Sequence, residues 1–522
     1  MEVLTALLAI LASILGYLIY RGRKVNKYWE ERGVPHETPG LFFGNSWSGL
    51  TGQESMLFDW KNNLYKKYPN APLLGYYDLM RPILVVKDID LVQQVLIKDF
   101  KHFSKRVLEP DEVKFPYLEN LFVMAGKRWK SMRNKMIPVF TTGKLRQMYG
   151  QMSELGDSLV RQIESQVEEK KCSLELKRSF DCYSMDIIGS TAFGLDIGSI
   201  RDGDNEFARM GKKVFDWVFN LRFLVNNNFP QFSKKFGIGM TRPSVFKYFT
   251  GIVEQAFEHR RRTGGQRNDF VNLMLQLKEK GHLDLVKDEA DEGSDDYLTM
   301  TDDSIVGSKA IEITEPLILA NAFLFIMAGF DTAGTLLTML CLDLSQNISV
   351  QNKLREDIRK TLSANKGVFC YEVIRDTPYL EMCIKESMRL HTLIPVLFRL
   401  CTKEYTFPGT NVTVKPGDTI EIPTHSIHMD PEIYPDPECF KPERFAPDVS
   451  HQNCTWLPFG EGPRICIAMR FVITEVKCAI AKVLLKYEIA LNPKTELPIR
   501  ASPRSLIFKP KRPVYFDLKK IS

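Results

Sequence analysis

Val3 to Tyr20 is apolar or small at every position, and no later stretch repeats that pattern at that length. As a helix these residues would span roughly 27 Å, about the width of a bilayer core. Arg21, Arg23, Lys24 and Lys27 follow at once, whereas only Met1 and Glu2 precede. Positive charge on that flank predicts that the N-terminus crosses the membrane and that everything after Arg21 is cytoplasmic. A cleaved signal peptide needs a basic leader and a small-residue cleavage site, and neither is clear here. No other stretch reads as long and apolar enough to span.

Beyond the anchor, residues 28–45 hold Gly33, Pro35, Pro39 and Gly40 and read as a stiff connector. The segments 73–77 and 81–86 are β-rich and predict a small sheet. Apolar residues at three- and four-residue spacing predict helices over 88–98, 127–140, 144–170, 178–193, 205–224, 246–262 and 267–280. Residues 284–303 are acidic, low in aromatics and read as an exposed loop. A long apolar helix follows, with Thr314 to cap it and Pro316 in its first turn, running to about Leu344. Helices continue at 350–364, 378–391 and from Met469 to about Tyr487. Short strands are expected within 404–424, a Pro- and Asp-rich meander over 428–458, and hairpins over 485–519. The class is mainly α with minor β. The expected layout is an anchor over 1–24, a connector over 25–45 and one catalytic domain over 46–522.

Composition adds little until charge and cysteines are read. The chain has 522 residues, 44% of them hydrophobic, enough for a large core. A net charge of +6 suits an anionic membrane surface or an acidic protein partner. No dense basic run with interleaved aromatics is present, which argues against nucleic acid. Ten cysteines without a framework read as reduced and cytosol-facing. Asn-X-Ser/Thr matches at Asn347, Asn411 and Asn453 are then chance.

Candidate chemistry centres on Phe459-Gly-Glu-Gly-Pro-Arg-Ile-Cys466, which runs into a helix. A thiol at a helix N-terminus, with Arg464 two residues earlier, is expected to lose its proton easily and to make a soft metal ligand. With no CxxC neighbour, zinc is disfavoured. An inert buried cysteine is the competing reading. In the long helix, Ala328-Gly-Phe-Asp331-Thr332-Ala-Gly334 puts an acid and an alcohol beside two glycines. It suits proton relay, or a notch where another helix crosses. Glu386 and Arg389 are spaced as a helical ion pair, which Arg444 could join; a surface pair of small effect is the alternative. Trp129 and Arg133 lie one turn apart and could hold a carboxylate, or simply pack indole under guanidinium stem. Lys127, Arg128, Lys130 and Lys135 on the same helix form a basic strip, read as a solvated face or a dock for an acidic protein.

Taken in order along nearly the whole chain, these motifs resemble the cytochrome P-450 monooxygenases, and more narrowly the microsomal clan of the insect family-six and vertebrate family-three enzymes. The resemblance rests on the anchor and connector, Trp129 with Arg133, AGFDT, Glu386 with Arg389, Pro442-Glu-Arg444-Phe445 and FxxGxRxC. It implies the cytochrome P-450 fold, with haem between the long central helix and the cysteine-bearing helix. Cys466 would be the thiolate ligand. Trp129, Arg133, Arg399 and Arg464 would hold the propionates, with Arg106 a further candidate, and Phe459 would pack under the sulfur. Glu386, Arg389 and Arg444 would brace the cysteine loop. Asp331 and Thr332 would be the catalytic acid–alcohol pair. Pocket walls would come from residues about 105–124, 214–226, 321–332, 393–398 and 503–507, including Phe323, Ala328, Ile394, Val396 and Leu397. Where the family usually has glycine two residues after the ligand, this chain has Ala468, whose methyl is expected on the haem side.

The implied function is NADPH-dependent monooxygenation of an apolar small molecule at the endoplasmic reticulum membrane. Electrons would come from NADPH-cytochrome P-450 reductase, and cytochrome b5 is a second candidate partner. Phe215, Phe219, Phe223 and Phe229 suggest an apolar or aromatic substrate; xenobiotic, plant toxin, steroid and fatty acid all stay open. Two competing readings share the cofactor: an isomerase or dehydratase acting on a lipid peroxide without reductase, and a membrane haem sensor that needs Cys466 but not Thr332. A cysteine hydrolase is the poorest alternative, since only His451 is near in sequence.

Overall fold

The computed structural model describes residues 2–106, 115–170, 173–203, 205–214, 225–226, 228–239, 241–263, 269–280, 312–503 and 505–521. Phe215, Phe219 and Phe223, part of the predicted 105–124 and 214–226 walls, and the acidic 284–303 segment lie outside these residues.

Described elements are mostly helical. The first helix, Glu2–Val25, carries its apolar side chains in the open, with Val3 75% and Leu4 64% exposed. The connector behind it is packed more firmly than its composition suggests. Trp29 is 1% exposed, donates from Nε1 to Tyr76 O at 3.1 Å, and lies against Gly75, where a Cβ would come within 2.4 Å of its ring. Residues assigned to a linker thus enter the core, because one tryptophan buries far more area than the surrounding turns leave exposed.

The sheet has the order β1 (Leu73–Asp78), β2 (Arg81–Val86), β6 (Thr419–Ile422), β3 (Leu397–Leu400). β2 and β6 are parallel; the other pairings are antiparallel. β3 escapes the sequence pattern because Leu397-Phe-Arg-Leu does not alternate, yet it carries Arg399. The two-residue strands β4 (Tyr405–Thr406) and β5 (Thr413–Val414) pair in the expected 404–424 region. β7 (Tyr487–Leu491) and β8 (Phe516–Lys520) close the tail.

Pattern and caps agree over the central helix, Glu315–Gln346, where Thr314 accepts a bond from Leu317 N. At 32 residues it is about 48 Å long. Contrary to expectation, it is a second helix long and apolar enough to cross a membrane, but it is mostly buried inside the protein. Its main neighbour is the helix Leu176–Ile187. Gly329 and Gly334 allow that approach: a Cβ on them would lie 2.4 Å from Ile188 Cδ1 and 2.1 Å from Asp181 Oδ1. The glycines are therefore a crossing notch.

The cysteine-loop helix, Met469–Lys486, buries Glu475 at 1% exposure with no partner for Oε1. Burial pushes this carboxyl up to about 8, and the Ser184 hydroxyl offsets only part of it. The folded state thus holds a proton that the unfolded chain releases near pH 4. Stability should fall as pH rises from about 4.5 to about 8 on this account. Glu475→Gln is accordingly expected to raise the urea midpoint at pH 8.5 and to leave it unchanged near pH 4.5.

Candidate functional site

The loop that ends in Cys466 is shaped by two glycines with positive φ, Gly460 and Gly462. At Gly462 a Cβ would meet Leu96 O at 2.2 Å, so a backbone carbonyl occupies the space any side chain would need. Cys466 N–H donates to Phe459 O at 2.9 Å and closes the loop. The Phe459 ring lies edge-on to Trp456 at 6.2 Å. The helix itself begins only at Met469, with Ala468 as its N-cap. Ala468 has φ −95°, which alanine adopts without strain, and its side chain packs at the edge of a core cluster with Phe471.

Expectation and structure part on the thiol. Burial pushes the Cys466 thiol up; the Ala468 N–H and the charges of Arg133 and Arg106 offset this incompletely. Arg464 is not among the lowering groups. Its guanidinium turns away to the carbonyls of Ser104, Leu121 and Met124, and lies 4.1 Å over the Trp129 ring. Sequence proximity located its charge correctly along the chain but not in space.

Four guanidiniums gather around this loop. Arg133 is 7% exposed and its Nη2 has no partner; Arg399 is 2% exposed and its Nε has none. Arg106 donates to Phe122 O at 3.0 Å and Arg464 O at 3.3 Å, and Arg399 to Phe398 O at 2.9 Å. Burial lowers all four from their usual values, and repulsion by neighbouring guanidiniums adds to it at Arg106, Arg399 and Arg464, taking Arg106 to about 10 and Arg399 to about 9. Among the described residues none of the four has a carboxylate partner. Crowded cations, three of them buried and two with unsatisfied donors, call for an anion. Trp129, 5% exposed, forms the floor between Arg464 and Arg133, whose guanidinium is 6.0 Å from its ring.

Behind the loop lies a fully satisfied polar network. Arg389 makes two parallel bonds of 2.8 Å to Glu386, both residues being 0% exposed. Arg444 Nε reaches Glu386 Oε1 at 3.2 Å and Lys441 N–H donates to the same oxygen at 2.9 Å. Arg389 also donates to His428 O at 2.8 Å. His428, kept neutral by burial, accepts from Leu457 N–H through Nε2 at 2.8 Å. Its Nδ1 must then carry the proton and donate to Thr392 Oγ1, also 2.8 Å away. This histidine strut ties the helix Pro378–Leu390 to the approach of the cysteine loop. The sequence carries no local signal for it, because its three partners, Arg389, Thr392 and Leu457, lie 29 to 39 residues away.

On the central helix, Ala328 is exposed and Phe325, Gly329 and Thr332 are half-buried, whereas most of the helix is buried. These positions form one stripe at i, i+3, i+4 and i+7. Thr332 Oγ1 donates to Ala328 O at 2.8 Å. Asp331 points elsewhere. At 4% exposure it meets Lys177 Nζ at 3.2 Å and is ion-paired to Lys509. Lys177 is also ion-paired to Asp181. Burial pushes Asp331 up, but the two ammoniums outweigh it and hold the carboxyl below its usual range. Asp181, half-buried and repelled by Asp331, rises to about 6 despite Lys177. Adjacent in sequence, Asp331 and Thr332 thus face different surroundings. Lys177, Asp181 and Lys509 have no signature near AGFDT and could not be found from the sequence.

The pocket residues divide. Ala328 lies on the stripe, and Leu397 sits beside the cysteine loop, 3.9 Å from where Gly460 would carry a Cβ. Ile394 is half-buried and Val396 is 2% exposed. Phe323 is not on the stripe; it is buried in an aromatic cluster with Phe246 (5.3 Å), Phe249 (6.1 Å) and Tyr117 (6.5 Å). Arg128 on the basic strip is ion-paired to Glu119, while Lys127 is exposed.

Residues 34–516 match the family model described as Cytochrome P450. The chain is 32% identical to cytochrome P450 6a2 of Drosophila melanogaster, with all of both chains covered. It is 34% identical to probable cytochrome P450 6d4 of the same organism, over 95% of this chain and 94% of the relative.

Proposed function

The chain belongs to the cytochrome P450 family, and on that footing we propose that it inserts one atom of O2 into an apolar small molecule, using electrons passed from NADPH by a membrane-bound flavoprotein reductase. A haem monooxygenase is the general activity of the family, and haem held by a cysteine thiolate is its cofactor. The residues present fit that group. The observation that carries the reading is the set of three buried arginines with half-buried Arg106 beside Cys466, none with a carboxylate partner among the described residues and with orphaned donors on Arg133 and Arg399. Two propionates are the anions such a set calls for.

In this reading Cys466 is the metal ligand, and Arg133, Arg399, Arg464 and Trp129 hold the propionate edge, with Arg106 behind them. Phe459 fixes the loop through its carbonyl. Glu386, Arg389 and Arg444 keep the segment under the loop from shifting. When bound, thiolate-ligated haem supplies O2 binding and O–O cleavage. The protein's own part is to position and to manage protons. Thr332 donates its hydroxyl hydrogen to Ala328 O, so the lone pairs of Oγ1 stay available to accept from a proton-bearing group on the open stripe. Asp331, the residue before it, is turned off that stripe and is held as an anion by Lys177 and Lys509 next to the hydroxyl-bearing position. Ala328, Ile394, Val396 and Leu397 offer only apolar surface, which supports an apolar substrate; Phe323 backs that wall from the core.

The exposed apolar helix Glu2–Val25 supports a single membrane anchor, and the basic residues after it support a cytoplasmic globule at the endoplasmic reticulum. The strip on helix Gly126–Met136 supports docking of an acidic reductase. Reversing Lys127, Lys130 and Lys135 to Glu is expected to weaken apparent reductase affinity about tenfold at low salt, with the difference shrinking as ionic strength rises. Turnover titrated with reductase checks this.

The function itself is tested by turnover under 18O2 with NADPH and purified reductase over a panel of apolar compounds. A product with one 18O atom is expected. NADPH-independent conversion of a lipid hydroperoxide without 18O uptake would replace this reading with an isomerase.

A further inference from the structure

The tail of the chain folds back on itself between Arg500 and Lys511. Ser502 N donates to Lys509 O at 2.7 Å, Lys511 N to Arg500 O at 2.8 Å, and Ala501 bridges Pro510. Besides the buried side chains of Ala501 and Ile507, two adjacent residues make polar or aromatic attachments from this hairpin to the rest of the protein. Phe508 N donates to Leu393 O at 2.8 Å, at the head of the segment that carries Ile394 to Leu397. Phe508 itself is 6% exposed, its ring 5.4 Å from that of Phe58. Lys509 sends its ammonium the other way, to Asp331 on the central helix.

The charges here are matched. Lys177 serves Asp181 and Asp331, and Asp331 is served by Lys177 and Lys509, two cations for two anions. Asp331 is 5% exposed at its side chain and Lys509 32%. The lysine therefore comes in from the rim to a carboxylate already fixed in the core. Removing it leaves buried Asp331 and half-buried Asp181 to share one ammonium, a larger change than loss of a surface pair. The residue next to Asp331 is Thr332, on the open stripe.

We propose that Lys509 is a positioning residue that clamps the 500–511 hairpin to Asp331 and so sets how closely the hairpin closes on bulky ligands beside the stripe. The clamp links three separate segments: the central helix, the strand approach at Leu393 and the chain's tail. Asp331 serves in it as an anchor. The proposal rests on the monooxygenase reading only for the position of the ligand; the clamp itself is a property of the fold.

Lys509→Met keeps the length of the stem and removes the charge; Lys509→Arg keeps the charge. Two measurements on the full-length, haem-loaded protein test the clamp. Hydrogen exchange of the peptide spanning 501–511 is expected to be about tenfold faster in K509M and within about twofold of the parent in K509R. Optical titration with clotrimazole, a bulky azole, and with imidazole, a small one, should raise the clotrimazole Kd about fivefold or more in K509M while imidazole changes less than about twofold. K509R should restore the clotrimazole value. In an Asp331→Asn background, K509M should add little to either measurement. Unchanged exchange with an unchanged azole ratio in K509M overturns the proposal, as does a full effect of K509M in the Asp331→Asn background. A parent protein with no azole titration at all would overturn the monooxygenase reading, while the exchange measurement would still decide the clamp.

Discussion

Cys466→Ala is expected to abolish the thiolate-type Soret band of the reduced, carbon-monoxide-bound protein and to reduce turnover to that of a haem-free control. The reduced-CO spectrum of both proteins measures this directly. The same variant should fold. Its backbone bond to Phe459 O does not need the sulfur, and the glycine turns at Gly460 and Gly462 are untouched. A far-ultraviolet circular dichroism spectrum unchanged from the parent separates loss of the ligand from loss of the fold. Retention of the thiolate-type band in Cys466→Ala would assign the ligand to another of the ten cysteines. None of the other described cysteines combines such a loop with adjacent guanidiniums. Cys341, Cys383 and Cys478, for example, are buried in the core, and burial pushes their thiols far up.

Arg389→Ala should be the most damaging substitution away from the thiolate. It strips Glu386 of both 2.8 Å bonds at a site with no solvent access. Removing one member of a buried pair costs about 3–5 kcal/mol, because the other charge stays behind. A folded domain has only about 5–15 kcal/mol in total. Arg444 and Lys441 N–H would remain on Glu386, but neither replaces the bidentate grip. Arg389→Lys should rescue little, since an ammonium cannot make two parallel bonds or reach His428 O at the same time. The check is the denaturant midpoint together with the fraction of protein that retains haem after purification. A midpoint within error of the parent would mean that the network is ornamental.

Much of this arrangement was legible from local pattern. The cap and proline at Thr314 and Pro316, the glycine loop before Cys466 and the three-residue spacing of Glu386 and Arg389 are all signals written within one or two turns of chain. What was not legible depends on where a side chain points or on partners far away. Arg464 is two residues from Cys466 but spends its donors on the carbonyls of Ser104, Leu121 and Met124, so the expected acidification of the thiol does not follow. Asp331 and Thr332 are neighbours whose side chains leave the helix about 100° apart. One meets two lysines, 154 and 178 residues away in sequence, and the other lies on the open stripe. Phe323 illustrates the same limit, since alignment position placed it near the cofactor and helical phase turned it into the aromatic core.

The packing of Trp29 against Gly75 decides where the chain can be cut. Expression of a soluble form calls for removal of the apolar helix that ends at Val25. A start immediately after it keeps Trp29 in its slot, its Nε1 bonded to Tyr76 O. A start at the apparent beginning of the globule, past residue 45, would discard that tryptophan and leave β1 with an apolar groove open to water. The longer form should be monomeric and the shorter one should aggregate, so the practical boundary of this protein lies about twenty residues upstream of the one its prolines suggest.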